Sequence, residues 1–326
     1  MPAGTAVDAR EGLAVGSFPD ATIARSVWLS TAATDTPHTM PEAQTLTITT
    51  LDQHRFDATL HLADDPASPI LIFLSALGTP SRVYGRFGRE MAMHSVQLCT
   101  PDWRGIGSSS IRAGRRGDFG YRHLIEFDLV SLIEAVRQRL PTAPIWLGGH
   151  SLGGQLALLS AAARPDAIAG VALIASGSVH LTCYTGKLRM GVRSLVYLSR
   201  AVSPLLGYFP GSRIGFGGRE AAGLMRDWSH VAVTGEYRPS GSDIDYEKAL
   251  SSLRIPILAL TFAADAWSPA LAAQTLLKKL PADSAVHWHW NNSDTAGLAV
   301  DHYSWIKQPV LVAPAVARFI RQLHQR

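Results

Sequence analysis

The chain has 326 residues, 47% of them hydrophobic, enough to bury a full core; a disordered polymer and a small disulfide-stapled scaffold are both excluded. Thirty Lys and Arg against 26 Asp and Glu leave a formal charge of +4. The charge is scattered, and only Arg112, Arg115 and Arg116 cluster; they read as a solvated loop, so no nucleic-acid partner is expected.

Residues 1–42 are rich in Ala, Thr, Pro and Asp without periodicity and read as a loosely ordered extension. They lack a basic start followed by an apolar run, so no secretory signal is expected and the protein is placed in the cytoplasm. From Thr45, two alternating runs around a polar turn predict an antiparallel hairpin at a sheet edge. The apolar runs Ile70 to Leu74 and Val96 to Cys99 are short buried strands separated by a helix-length connection, the spacing that makes strands parallel. Ile125, Leu129, Leu132, Ile133, Val136 and Leu140 form one stripe of an amphipathic helix. A strand from Ile145, a helix over 152–163 and a strand from Val171 to Ile174 continue the alternation. Cys99 and Cys183 form no CxxC pair and no metal spacing, and read as reduced, ordinary residues.

The rhythm stops over 177–253, where Gly, Arg, Trp and Tyr mix with short helical patterns. It resumes with a strand from Ile255 to Phe262, a helix over 271–280, a strand from Val286 to Trp290 and a last helix near 313–323. The expected architecture is thus an α/β core over 43–176 and 254–326 interrupted by a lid over 177–253, at the strand ends where open α/β sheets hold their ligand crevice. The apolar stretch at 195–210 contains Arg200 and Pro204 and is too short to span a bilayer.

Gly149-His150-Ser151-Leu152-Gly153 is a GxSxG sequence running straight from the buried strand at 145–147 into a small-residue helix. A serine in such a sharp turn has an exposed hydroxyl at a helix N-terminus, where developing negative charge is favoured. A hydroxyl is a weak nucleophile until a base takes its proton, so a histidine and an acid must follow. Asp265, directly after the strand from Ile255 to Phe262, and His302, between the last strand and the last helix, supply them. Asp294 and Asp301 are rival acids, but Asp301 adjoins His302 and is poorly placed to reach its Nδ1. His287 and His289 share a strand face without a third ligand, so no metal is expected. His150 reads as a hydrogen-bonding neighbour of the elbow, and the His123/Asp128 spacing as coincidence.

These residues, together with Asp102-Trp103-Arg104-Gly105-Ile106-Gly107-Ser108 after a strand, resemble the α/β-hydrolase superfamily over about residues 45–326. Within it the chain is most similar to the serine-aminopeptidase-like and monoglyceride-lipase-like hydrolases. The resemblance implies an α/β-hydrolase fold: a mostly parallel central sheet with helices on both faces and an inserted helical lid. It implies an oxyanion hole from the backbone N–H groups of Leu152 and Leu77, although Ser75-Ala76 stands where many relatives have His-Gly.

The expected chemistry is acyl transfer through Ser151, His302 and Asp265 on a small-molecule acyl substrate, with no cofactor and no metal. A carboxylic ester or thioester of small to medium apolar character is the first choice. Met190, Tyr197, Leu205, Leu206, Tyr208, Phe209, Met225 and Trp228 offer surface for an acyl pocket, about half of them serving to pack the lid. Glu220, Asp227 or Glu236 would suit capture of a peptide's amino terminus, leaving aminopeptidase or amidase activity open. Acyl transfer to an alcohol or amine, and a binding module without turnover, complete the alternatives. Nothing in the sequence assigns an oligomeric state.

Overall fold

The computed structural model describes residues 42–324. The expected extension at 1–42 and the signal reading at the N-terminus lie, apart from residue 42, outside the described residues.

Strands β1 (Gln44–Thr49) and β2 (Arg55–His61) form the expected antiparallel hairpin, in register from Gln44↔Leu60 to Thr49↔Arg55. β2 then runs antiparallel to β4 (Gln97–Pro101). From β4 onward every pairing is parallel, through β3 (Ile70–Leu74), β5 (Ile145–His150), β6 (Gly170–Ile174), β9 (Ile257–Phe262) and β10 (Ala285–Trp290). The eight-stranded order is β1-β2-β4-β3-β5-β6-β9-β10. A two-stranded ribbon, β7 (Tyr208–Pro210) with β8 (Arg219–Ala221), stands apart in a second sheet.

Every residue of β3, β4, β5, β6 and β9 is buried, as strands covered on both faces must be. Alternation divides them between two cores. Ile70, Ile72 and Leu74 point to the face covered by α2 (Leu129–Arg139) and α3 (Leu152–Ala163), while Leu71 and Phe73 point to α1 (Gly85–Met93) and α8 (Pro309–His324). A short π-helical turn, His123–Asp128, leads into α2. It makes Asp128 a structural ligand rather than a reactive one: the carboxylate is buried against Arg104 at 2.8 Å and His54 at 3.1 Å. The His123/Asp128 spacing thus carries no chemistry.

Between β6 and β9 the insertion contains α4 (Gly186–Leu206), the β7/β8 ribbon, α5 (Ala222–Thr234) and α6 (Tyr246–Ser252); α7 (Ala270–Leu277) follows β9. α4 is far longer than the short helical patterns expected there. Pro204 lies in its last turn, where its missing N–H forgoes the bond to the Arg200 carbonyl, and Gly207 closes the helix at φ 79°. α8 begins four residues before the expected start, with Pro309 at its first position, where a missing N–H costs nothing. Among the described residues no helix is long and apolar enough to cross a membrane.

Candidate active site

Ser151 sits between β5 and α3 at φ 55° and ψ −121°, a backbone conformation costly to a residue with a β-carbon. The surroundings hold it there. Its N–H donates to Ile174 O on β6, and its own carbonyl accepts from Ser176 Oγ at 2.6 Å. The GxSxG glycines are required by close approach: a β-carbon on Gly153 would lie 2.3 Å from Leu74 O, and one on Gly149 2.4 Å from the Gly153 carbonyl carbon. The helix start is therefore pressed onto the end of β3, where the 75–78 turn begins.

That turn is fixed from two sides. Tyr84, fully buried, accepts the Ala76 N–H at 3.1 Å and shares a hydrogen bond with His150 Nδ1 at 2.9 Å, tying the turn to the elbow. Burial lowers the pKa of His150 well below the ordinary histidine range and raises that of Tyr84, so the bridge joins two neutral groups. On the other side Gly78, at φ 69°, admits no side chain, because a β-carbon would meet Gly218 N of the insertion at 2.3 Å. The Leu77 N–H donates to nothing among the described residues. The Leu152 N–H is the first orphan donor of α3.

His302 lies in the loop between β10 and α8, buried, with Nδ1 2.8 Å from Asp265 Oδ2. The other oxygen of Asp265 accepts the N–H groups of Trp267 at 2.9 Å and Ser268 at 2.8 Å, so the carboxylate is held by three groups at the tip of β9. The rival acids are engaged elsewhere. Asp294 accepts from Asn291 N, and Asp301 accepts from Tyr303 and Ser304 N; those backbone donors lower the pKa of its carboxyl. His287 and His289 both meet the Thr261 hydroxyl, at 2.8 and 2.9 Å, and no cluster of metal-ligating side chains occurs among the described residues. Cys99 and Cys183 are free and buried.

Ser151 and His302 open on one cavity of about 80 Å³, bounded also by Leu77, Leu152, Gln155 and the aromatic rings of Tyr184, Phe216, Trp228, Trp267 and Tyr303. Ser151 Oγ makes no hydrogen bond among the described residues. The insertion supplies much of the wall, but not through the residues expected. Of the eight apolar candidates only Trp228 reaches the cavity; Met190, Tyr197, Leu205 and Leu206 are exposed, and Phe209 and Met225 are buried in packing. α4 turns its apolar residues outward because Val192 and Val196 already fill its inner face. Phe216, missed in the sequence, lies on a Gly-rich strap between Trp228 and Trp267, with ring centroids 5.3 and 5.9 Å apart. Tyr84, Gln155 and Trp267 were also missed; Gln155, four residues after Ser151, was the one with a readable signal, since that spacing puts both on one helix face.

The three candidate acids of the insertion do not face the cavity. Asp227 accepts from Tyr121 N, Ser240 N and Ser240 Oγ, Glu236 pairs with Arg238, and Glu220 is buried against Gly218 N. Burial pushes the Glu220 carboxyl up to about 7.

The family described as "Serine aminopeptidase, S33" matches residues 65–206, less than half of the chain and short of Asp265 and His302. Human monoglyceride lipase is 32% identical over 105 residues, 32% of this chain and 34% of the lipase, so the match spans about a third of that relative. Two solved structures carry the fold over nearly the whole chain. Est1E from Butyrivibrio proteoclasticus, with ferulic acid bound, superposes at TM-score 0.60 with 15% identity, covering 86% of this chain and 100% of that one. A bacterial membrane phospholipase A superposes at 0.61 with 17% identity, covering 94% and 93%. The chain has the α/β-hydrolase fold. Its matched segment is similar to the serine aminopeptidases and to monoglyceride lipase.

Proposed function

We propose that the protein is a serine hydrolase of carboxylic esters that works through an acyl-enzyme. The observation that carries the reading is the strained Ser151 opening on the same cavity as a histidine whose Nδ1 is held by a buried carboxylate. In the proposed cycle His302 Nε2 takes the Ser151 proton as the oxygen attacks the substrate carbonyl. Asp265 keeps the imidazole in the tautomer that leaves Nε2 free to accept. The oxyanion is met by the N–H groups of Leu77 and Leu152, a pair worth about 3 kcal/mol per donor in such sites. The protonated His302 then gives its proton to the departing alcohol, and water, activated the same way, releases the acid and restores Ser151.

In this reading the insertion acts as a lid that lines an apolar cavity with Trp228 and Phe216, in keeping with a small to medium apolar ester. An aminopeptidase needs an anion facing the substrate's ammonium group, and no acidic side chain among the described residues borders the cavity. Esters are therefore favoured over peptides, despite the family's description. The test is labelling with a fluorophosphonate read by intact mass. One adduct on the wild type, absent from Ser151→Ala and strongly slowed in His302→Ala, is expected; an unlabelled wild type overturns the proposal in favour of a binding module.

A further inference from the structure

Gln155 follows Ser151 by one helical turn on α3 and forms part of the cavity wall, 2% exposed. Its Oε1 accepts a hydrogen bond from the Tyr237 hydroxyl at 2.9 Å. Tyr237 is itself buried, arrives from the segment after α5, and has no other acceptor for its proton among the described residues. A phenolic proton without an acceptor is costly in such a place, so Tyr237 donates and the glutamine oxygen is bound to face it. The amide is thereby oriented, and its nitrogen points the other way.

That nitrogen donates no hydrogen bond among the described residues, yet it is not among the fully buried polar atoms left without partners. Because Gln155 lines the cavity and is otherwise buried, we take the nitrogen's residual exposure to be toward the cavity. Nearby surfaces are apolar: Val179, Val192 and Trp228. The Tyr184 hydroxyl is engaged with Trp267 O at 3.2 Å. A hydrocarbon chain laid over Gln155 would strip water from an N–H₂ group and return no acceptor, a desolvation penalty without compensation.

We infer that Gln155 is a specificity-determining residue, and that the preferred ester carries a hydrogen-bond acceptor, a carbonyl, hydroxyl or ether oxygen, four or five bonds from its scissile carbonyl carbon. The spacing follows from the helix: four residues advance about 6 Å along the axis from Ser151. Tyr237 is the positioning residue that keeps the amide from flipping. This inference rests on the ester-hydrolase reading and narrows its substrate class from plain aliphatic to oxygenated esters.

The experiment compares kcat/KM for matched 4-nitrophenyl esters, 4-oxopentanoate against 4-methylpentanoate and 5-oxohexanoate against 5-methylhexanoate, in wild type, Gln155→Met and Tyr237→Phe. The methionine keeps the glutamine's shape without its donor, and its oxo/methyl ratio corrects for the intrinsic reactivity of the esters. The wild-type ratio is expected to exceed that of Gln155→Met by about 10- to 100-fold. Tyr237→Phe should lose most of that excess, with its own methyl esters serving as the reference so that any general loss of activity cancels in the ratio. Equal ratios in wild type and Gln155→Met overturn the inference, even with esters being hydrolysed. If no ester is turned over and Ser151 stays unlabelled, the hydrolase reading has failed instead. Binding of the free oxo and methyl acids, followed by fluorescence of Trp228 and Trp267, then decides the role of Gln155: equal affinities in wild type and Gln155→Met overturn it, and selective loss of the oxo acid sustains it.

Discussion

The sheet and the insertion hold the same cavity by different means. On the sheet side, backbone meets backbone: Gly149 and Gly153 bring α3 onto the end of β3, three groups hold the Asp265 carboxylate, and Tyr84 bolts the 75–78 turn to His150. On the insertion side, rings and a glycine strap rest on that frame, and α4 exposes Met190, Tyr197 and Leu205 to solvent. A frame with no spare space can fix a reacting atom to within a fraction of an ångström. A looser wall can change with the substrate. The contrast predicts that substitutions on the sheet side abolish function or folding, while comparable changes in the insertion tune stability and selectivity.

The largest effects should fall on the reacting groups. Ser151→Ala is expected to reduce ester turnover by about 10⁴-fold or more with the melting temperature held or raised, since the change removes chemistry and leaves the fold. Asp265→Asn should cost about 10⁴-fold in kcat, because an amide can donate to Nδ1 and select the wrong imidazole tautomer. Asp301→Asn, one residue from His302 but turned to its own loop, should stay within about threefold of wild type; a loss comparable to that of Asp265→Asn would mean that the acid has been misassigned. Next comes Gly153→Ala. Its β-carbon would press into Leu74 O at 2.3 Å, and neither backbone can retreat, so a loss of about 3 kcal/mol or failure to fold is expected by chemical denaturation.

The same contrast explains what could be read from the sequence. Buried parallel strands appear as short apolar runs, and a helix between two of them can only return along the sheet, so β3 through β6, β9 and the loops bearing Ser151, Asp265 and His302 were legible from spacing. The insertion obeys no such repeat. Its longest helix was hidden because Pro204 and Arg200 interrupt the pattern without breaking the helix, and the β7/β8 ribbon has only three residues in each strand. Phe216 was invisible for a deeper reason: which ring fills the space between Trp228 and Trp267 depends on the path of a Gly-rich strap, and glycines allow many paths. Tyr84 was hidden because its partners, Ala76 and His150, come from two different strand ends.

Glu220 sharpens the comparison at the seam. Its carboxyl is buried beneath the strap beside Gly217 and Gly218, accepts only the Gly218 N–H among the described residues, and is pushed up to about 7 by burial. Because the folded value lies above the ordinary 4.5, the folded protein binds the proton more tightly than the unfolded chain. Stability is therefore greatest below about pH 4.5 as far as this group is concerned, falls as pH rises to about 7, and is level above that. The total change is at most about 3 kcal/mol. Denaturation of wild type and Glu220→Gln across that range should show the slope in the former alone, with the variant gaining relative stability as pH rises. Parallel curves would mean that the carboxyl keeps its ordinary pKa in the folded state.

The smallest effect is expected where the insertion is loosest. Gly191 lies within α4, exposed, in helical conformation, and a β-carbon there would meet nothing within 4 Å. Glycine in a helix interior costs roughly 0.5–1 kcal/mol relative to alanine, chiefly through the freedom it loses on folding. Gly191→Ala should therefore raise stability by up to that amount, where the same substitution at Gly153 destroys it. If the insertion unfolds as a unit before the sheet, the gain will be confined to slower hydrogen exchange along α4, leaving the global midpoint in denaturant unchanged. A shift of that midpoint would instead show that α4 and the sheet melt together, and that the looser wall is energetically part of the frame.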